Sequence, residues 1–143
     1  MKILVINGPN LDVLGKRDPR HYGTLTLKQL NKKIALYARQ KNCKTKFFQS
    51  NCEGKLITAI TRSKCDAILL NAGAYSHTSY AIRDAIECCG KKVVEVHLSD
   101  VSNREEFRKK RVFDGVVSGY FFGKNKQSYF DAIDFIVNKG ELI

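Results

Sequence analysis

Lys2-Ile3-Leu4-Val5-Ile6-Asn7 is a short apolar run closed by Gly8-Pro9-Asn10, and Asp66-Ala67-Ile68-Leu69-Leu70-Asn71 repeats the arrangement ahead of Ala72-Gly73. Such a run has no polar face to offer water, so it reads as a strand buried on both sides. Lys46 to Ser50, Lys92 to Leu98 and Asp114 to Ser118 read the same way. The stretches between them switch to helical period. Thr26 to Gln40 places Leu27, Leu30, Ile34 and Tyr37 on one face, and Thr26 with Gln29 makes a capping box. Glu53 to Ser63 carries Leu56, Ile57 and Ile60, and Ser79 to Cys89 carries Ile82, Ala85, Ile86 and Cys89 ahead of a terminating Gly90. Asn103 with Glu106 opens a short fourth helix. The last is expected from Lys126 to Lys139, with Phe130, Ile133 and Val137 inward and Gly140 after it.

Strand followed by helix five times over predicts an α/β domain with a parallel sheet and helices on both faces. The topology expected is a flavodoxin-like three-layer sandwich with a five-stranded sheet of order 2-1-3-4-5. No repeat, low-complexity tract or linker divides residues 1–143, so one domain is expected.

Composition narrows the class. The chain has 143 residues, 43% hydrophobic and 27% charged, enough for a core without disulfides or metal. No apolar run reaches the roughly 18 residues that span a bilayer, and Met1 to Asn7 leads directly into a strand rather than a signal peptide. A cytoplasmic protein without membrane partners is expected. The five cysteines, Cys43, Cys52, Cys65, Cys88 and Cys89, include no C-x-x-C pair; they read as reduced thiols, mostly core filler, with no metal site. The net charge of +11 and the runs Lys32-Lys33 and Arg108 to Arg111 invite nucleic acid, a solvated surface or attraction of an anionic metabolite. No helix-turn-helix, paired RNA-stacking aromatics or zinc motif accompanies the charge, so no nucleic-acid partner is expected.

Ligands of such sheets sit beyond the carboxyl ends of the strands, and the unusual residues fall there. Asn7-Gly8-Pro9-Asn10 and a charged loop to Gly23 follow strand one. Gln49-Ser50-Asn51-Cys52-Glu53-Gly54 follows strand two. Asn71 to Ser79 follows strand three, and Glu95-Val96-His97-Leu98-Ser99 ends strand four. Dinucleotide, Walker, receiver and flavin loops are all missing their defining residues, so no cofactor is expected and side chains must do the chemistry. Candidates for proton transfer are His77, His97, Glu95, Tyr22 and Asp84. Candidates for holding an anion are Arg17, Arg83, Arg104 and Arg108, with backbone N–H groups near Ser99. Lys55, Lys64 and Lys124 read as surface lysines, leaving no favoured Schiff-base nucleophile. Acid–base catalysis on a carboxylate, by elimination or isomerisation, remains.

Five colinear motifs resemble one family, type II 3-dehydroquinate dehydratase. They are Asn7-Gly8-Pro9-Asn10-Leu11; Arg17-Asp18-Pro19 with Tyr22-Gly23; Gln49-Ser50-Asn51 with Glu53-Gly54; Asn71 to Ser79; and Glu95 to Ser99 with Arg104-Glu105-Glu106-Phe107-Arg108. The resemblance runs from Ile3 to about Arg108 and implies an activity without metal or cofactor: dehydration of 3-dehydroquinate to 3-dehydroshikimate in the shikimate pathway, which leads to the aromatic amino acids. It implies Tyr22 as base, His97 as acid, Arg17 beside Tyr22, and Asn10 stabilising an enolate through water. Asn71, His77, the Leu98–Ser99 backbone and Arg108 would hold the substrate. Glu95 would orient His97, Gly73 would shape the loop, and Asp84 would arrive from a neighbouring subunit of a dodecamer built from trimers.

Elementary chemistry suits those roles. A free phenol has a pKa near 10, so ionising it at pH 7 costs roughly 4 kcal/mol, and a cation within a few Å can lower that pKa by about 1–3 units. A tyrosine base therefore needs a neighbour such as Arg17. The loop from Gly15 to Gly23, rich in cations and poor in apolar anchors, reads as a lid. Departures from the family pattern are Asp12, Ala72, Ser76, Asp100 and Ser102, where Asn, Pro, Thr, Asn and His are usual; none removes a proposed catalytic group. The alternative is a flavodoxin-like binding module for an anionic ligand.

Overall fold

The computed structural model describes residues 1–138. The chain runs β1 (Lys2–Asn7), a helical turn α1 (Pro19–Tyr22), α2 (Leu27–Gln40), β2 (Lys44–Gln49), α3 (Glu53–Thr61), β3 (Ala67–Asn71), α4 (Tyr80–Cys88), β4 (Lys92–Val96), β5 (Gly119–Phe121) and α5 (Lys126–Asn138). The expected Lys139 and Gly140 end of the last helix lies outside the described residues. All pairings are parallel and the sheet order is β2-β1-β3-β4-β5.

Alternation along the buried strands feeds two cores. Ile3 and Val5 of β1 point to the face covered by α2 and α5, where they meet Leu30, Ile34, Tyr129 and Ile133. Leu4 and Ile6 point to the opposite face, with Leu56, Ile60, Ile82 and Ile86 of α3 and α4. The α2 capping box forms in full: the Gln29 N–H donates to Thr26 Oγ1 at 3.2 Å and the Thr26 N–H to Gln29 Oε1 at 3.0 Å.

Several expectations need correction. The fifth strand is Gly119–Phe121, not Asp114–Ser118. Phe113 is fully buried, and the N–H groups of Val116 and Val117 turn back onto its carbonyl. An apolar run whose donors close a turn cannot join a ladder. The pairing instead sets Glu95 against Tyr120 and Val96 against Phe121. Asn103 and Glu106 open no α-helix. Two 3₁₀ turns, Val101–Asn103 and Glu106–Lys109, stand there instead. Asp100 caps the first through the Ser102 N–H, and extended backbone at Arg104 ends it. In α5 the buried stripe is Tyr129, Ala132, Ile133 and Ile136, with Phe130 and Val137 on its flanks. β4 stops at Val96, two residues short of the expected end. Only Cys43 and Cys65 are buried; Cys52 and Cys88 are exposed and Cys89 lies between, so filler describes two thiols of five. No described helix is long and apolar enough to cross a membrane.

Candidate active site

At the carboxyl edge of β1, β3 and β4 the core turns polar while staying buried. Asn7, Asn71, Glu95 and His97 are each no more than 6% exposed. Buried polar groups need partners, and α5 supplies one: Tyr129 Oη donates to Asn7 Oδ1 at 2.6 Å and accepts from Asn71 Nδ2 at 2.9 Å. Asn71 Oδ1 then takes the Gly73 N–H at 3.1 Å. Gly73 holds φ 58°, a left-handed conformation glycine adopts without strain. Gly8 lies so close to the β3 loop that a Cβ there would sit 2.7 Å from the Ala72 carbonyl. These contacts lock the loops after β1 and β3 together.

Over this floor lies a small cleft of about 80 Å³. Asn10, Arg17, Tyr22, Asn71, Gly73, His77, His97, Leu98, Ser99, Arg104 and Arg108 all line it. Of the residues picked out from sequence, three stand apart. Glu95 lies behind His97. Asp84 is exposed on α4 and does not line the cleft. Arg83, one of the expected anion holders, is committed elsewhere, because its guanidinium donates to the backbone carbonyls of Val112 and Asp114.

One half of the cleft is cationic. Tyr22 ends α1, whose first turn is capped by the Asp18 carboxylate on the Arg20 N–H. Arg20 holds the Asp18 carboxyl down at about 2. The Tyr22 oxygen accepts from Arg17 at 2.8 Å and from Arg104 at 2.6 Å. Arg17 also lies 3.6 Å over the Tyr22 ring centroid. Burial, and then the charges of Arg104 and Arg108, push the Arg17 guanidinium below its usual value, against the opposing pull of Tyr22. Two charged donors thus converge on one phenol oxygen. The sequence offered Arg104 only as one of four cations; its place beside Tyr22 comes from the 3₁₀ turns that replace the expected helix. From the loop between Gly15 and Gly23, Arg17 and Tyr22 line the cleft.

The other half is built on β4. His97 Nε2 lies 2.7 Å from Glu95 Oε2. A carboxylate only accepts, so Nε2 carries the proton and Nδ1 is free to take or give a second one. His77 stacks on His97 with ring centroids 6.4 Å apart. Its Nδ1 lies 2.9 Å from the Lys110 carbonyl and is therefore the protonated nitrogen. Burial lowers the His77 pKa, with the nearby His97 and Arg108 adding to the effect, so the neutral ring is favoured. Arg108 lines the cleft while its Nε donates to Glu105.

Asn10 sits between the halves in the left-handed region, φ 68°. Its N–H donates to Asn51 Oδ1 at 3.0 Å, Gln49 Nε2 donates to the Gly8 carbonyl at 3.1 Å, and Tyr75 Oη donates to the Asn51 carbonyl at 3.0 Å. The Gln49-Ser50-Asn51 motif is thus a clamp on the Asn10 loop. Tyr129 was missed; burying a hydroxyl-bearing ring at an inward helical position was the signal for it. Among the described residues no group of three or more His, Cys, Asp or Glu side chains could hold a metal ion.

Comparison with known proteins gives one consistent answer. The family described as Dehydroquinase class II matches residues 1–137. A 3-dehydroquinate dehydratase of Clostridium botulinum is 50% identical over 138 residues, covering 95% of this chain and 94% of its own. A 3-dehydroquinate dehydratase of Francisella philomiragia is 43% identical over 145 residues, covering 99% and 100%. The crystal structure of a type II dehydroquinase from Butyrivibrio crossotus superposes with a TM-score of 0.91 at 44% identity, covering 96% of this chain and 97% of that one.

Proposed function

This chain belongs to the class II dehydroquinase family, and on that premise we propose that it dehydrates 3-dehydroquinate to 3-dehydroshikimate, with Tyr22 as base and His97 as acid. The observation that carries the residue roles is the division of one cleft into a phenol held by two guanidinium groups and an imidazole held by a buried carboxylate. Ionising a free phenol at pH 7 costs about 4 kcal/mol, and Arg17 and Arg104 are the two cationic donors placed on the Tyr22 oxygen. The phenolate takes the proton from C2, beside the ketone, and the C–H electron pair moves into an enolate. The enolate then forms the C1–C2 double bond while the C1–O bond breaks. His97 Nδ1 gives its proton to the departing hydroxyl, so that water leaves. Turnover ends with Tyr22 protonated and His97 neutral, and solvent resets both.

Asn10 stabilises the enolate oxygen through a water molecule. Asn71, His77, the Leu98–Ser99 backbone and Arg108 hold the substrate's hydroxyls and carboxylate. Gly73 keeps the Asn71 amide in place and Glu95 orients His97. Asp84, exposed on α4, reaches the site of a neighbouring subunit in a trimer, and four trimers make a dodecamer. Residues 1–143 form one catalytic domain, working in the cytoplasm. The test is direct: protein mixed with 3-dehydroquinate produces a rising ultraviolet absorbance from the conjugated enone. A flat trace at high protein concentration overturns the assignment.

A further inference from the structure

Behind His97 lies a group that the reaction scheme above leaves without a task. Arg111 follows the 3₁₀ turn Glu106–Lys109, and one of its terminal nitrogens, Nη2, stands 3.7 Å from Glu95 Oε1. It does not line the cleft. Its guanidinium lies flat on the Tyr120 ring, 3.6 Å from the centroid, and Nη1 pairs with Asp114 Oδ1 at 3.3 Å. Tyr120 in turn sits opposite Glu95 in the β4–β5 pairing and edge-on to His97, with ring centroids 5.9 Å apart. Glu95 is 1% exposed, and among the described residues its Oε1 finds no hydrogen-bond donor, nor does the buried Arg111 Nε find an acceptor. The attraction of Arg111 is therefore what compensates that oxygen.

The buried carboxylate poses a problem during turnover. While His97 is protonated, Glu95 faces an imidazolium 2.7 Å away. Once His97 has given its proton to a leaving group, that counter-charge is gone, and an isolated buried carboxylate is strongly disfavoured. Without another cation Glu95 would compete with the imidazole for a proton. The remaining groups facing Glu95 do not relieve this. His77, stacked on His97, is held toward its neutral form, and Tyr120 has its hydroxyl pushed up to about 12 by burial and then by Glu95 itself. Arg108 acts on His77 from the cleft side and Asp100 on Tyr120. Arg111 is the permanent charge within reach.

We propose that Arg111 is a positioning residue for the acid half of the site: its fixed charge keeps Glu95 a carboxylate through the whole cycle, so that the proton exchanged in the pair resides on His97. This rests on the reading of His97 as the acid. The aromatic plate under the guanidinium and the Asp114 carboxylate hold that charge in place without letting it reach the substrate.

The sign of the effect is fixed by charge. A cation beside Glu95 favours the carboxylate and disfavours the imidazolium, so it lowers both protonation steps of the coupled pair. In Arg111→Met both steps move to higher pH, and Arg111→Lys restores them. The experiment follows the ring signals of His97 by NMR across a pH titration, assigned by their loss in His97→Gln. It sets beside them the pH profile of kcat/KM. We expect the His97 midpoint to rise by about half a pH unit or more in Arg111→Met, with the basic limb of the profile following it. We also expect kcat to drop about tenfold at nearly unchanged KM. If Arg111→Met fails to fold, Arg111→Gln carries the same test. An unmoved midpoint overturns the proposal whatever the activity, and so does an equal shift in the Met and Lys variants, which would assign the effect to packing on Tyr120. Absence of dehydratase activity in the parent protein defeats the functional reading instead, while the midpoint still decides the role of Arg111.

Discussion

The two halves of the cleft are built by opposite means. His97 and Glu95 ride on and just past a central strand, are 6% and 1% exposed, and are held by the sheet itself; the His97 N–H even continues the ladder onto the Phe121 carbonyl at 2.9 Å. Tyr22 and Arg17 belong to a surface segment in which α1 buries no residue at all. His97 is thus placed by the sheet, whereas Tyr22 sits in a surface segment held by its hydrogen bonds to Arg17 and Arg104 and by packing against the core. Elements with few buried contacts open easily, so the Tyr22 half is expected to be the less stable of the two.

The largest effect expected from this contrast falls on Tyr22. Tyr22→Phe deletes the proposed proton acceptor together with the two arginine hydrogen bonds that end on its oxygen, so kcat should drop by about 10²–10⁴-fold while KM stays within a few fold if the oxygen makes little ground-state contact with substrate. Steady-state kinetics decide it: lost affinity with turnover preserved would make Tyr22 a binding residue and dissolve the base half altogether. Next in size are Arg17→Met and Arg104→Met, each lowering kcat by roughly 10²-fold, as expected on removing one preorganised donor from a developing charge. Because both donors end on one oxygen, the double variant should lose less than the product of the two single losses. Strict multiplicativity would mean the two arginines act on different atoms. The smallest effect belongs to the strand half and reads on stability. The His77 pKa is lowered in the folded state, so the unfolded chain binds the proton more readily. That contribution to stability is present above the unfolded value near 6.5 and is lost as pH falls through the folded one. His77→Gln should therefore flatten the decline of Tm between about pH 7 and pH 5; parallel curves for the two proteins would show that this histidine is not coupled to folding.

Much of this arrangement was legible before any coordinates. Apolar runs at 2–7 and 66–71 with helical period between them give a parallel sheet, because strands without a polar face need cover on both sides. The capping box at Thr26 and Gln29 and the stop at Gly90 are local chemistry and appear where expected. Local signals misled where an apolar stretch served something other than a strand. Val116 and Val117 turn back on Phe113, and the true edge strand is Gly119-Tyr120-Phe121, too short to show a period of its own. The Asn103–Glu106 pattern likewise suggested a helix, since nothing nearby in sequence announces that Arg104 must be extended.

Residue type, spacing and motif order are enough to expect the strand order and a site at the carboxyl edge, and to single out Tyr22, Arg17, His97 and Glu95 as its candidates. Which charges meet depends on the packed fold. Arg104 lies 82 residues from Tyr22 yet bonds its oxygen, Tyr129 lies 122 residues from Asn7 yet satisfies it, and Arg83 is taken out of the site by two backbone carbonyls. Patterns along a chain report how each segment meets water; electrostatic pairing depends on distances that only the closed sheet and its packed loops set.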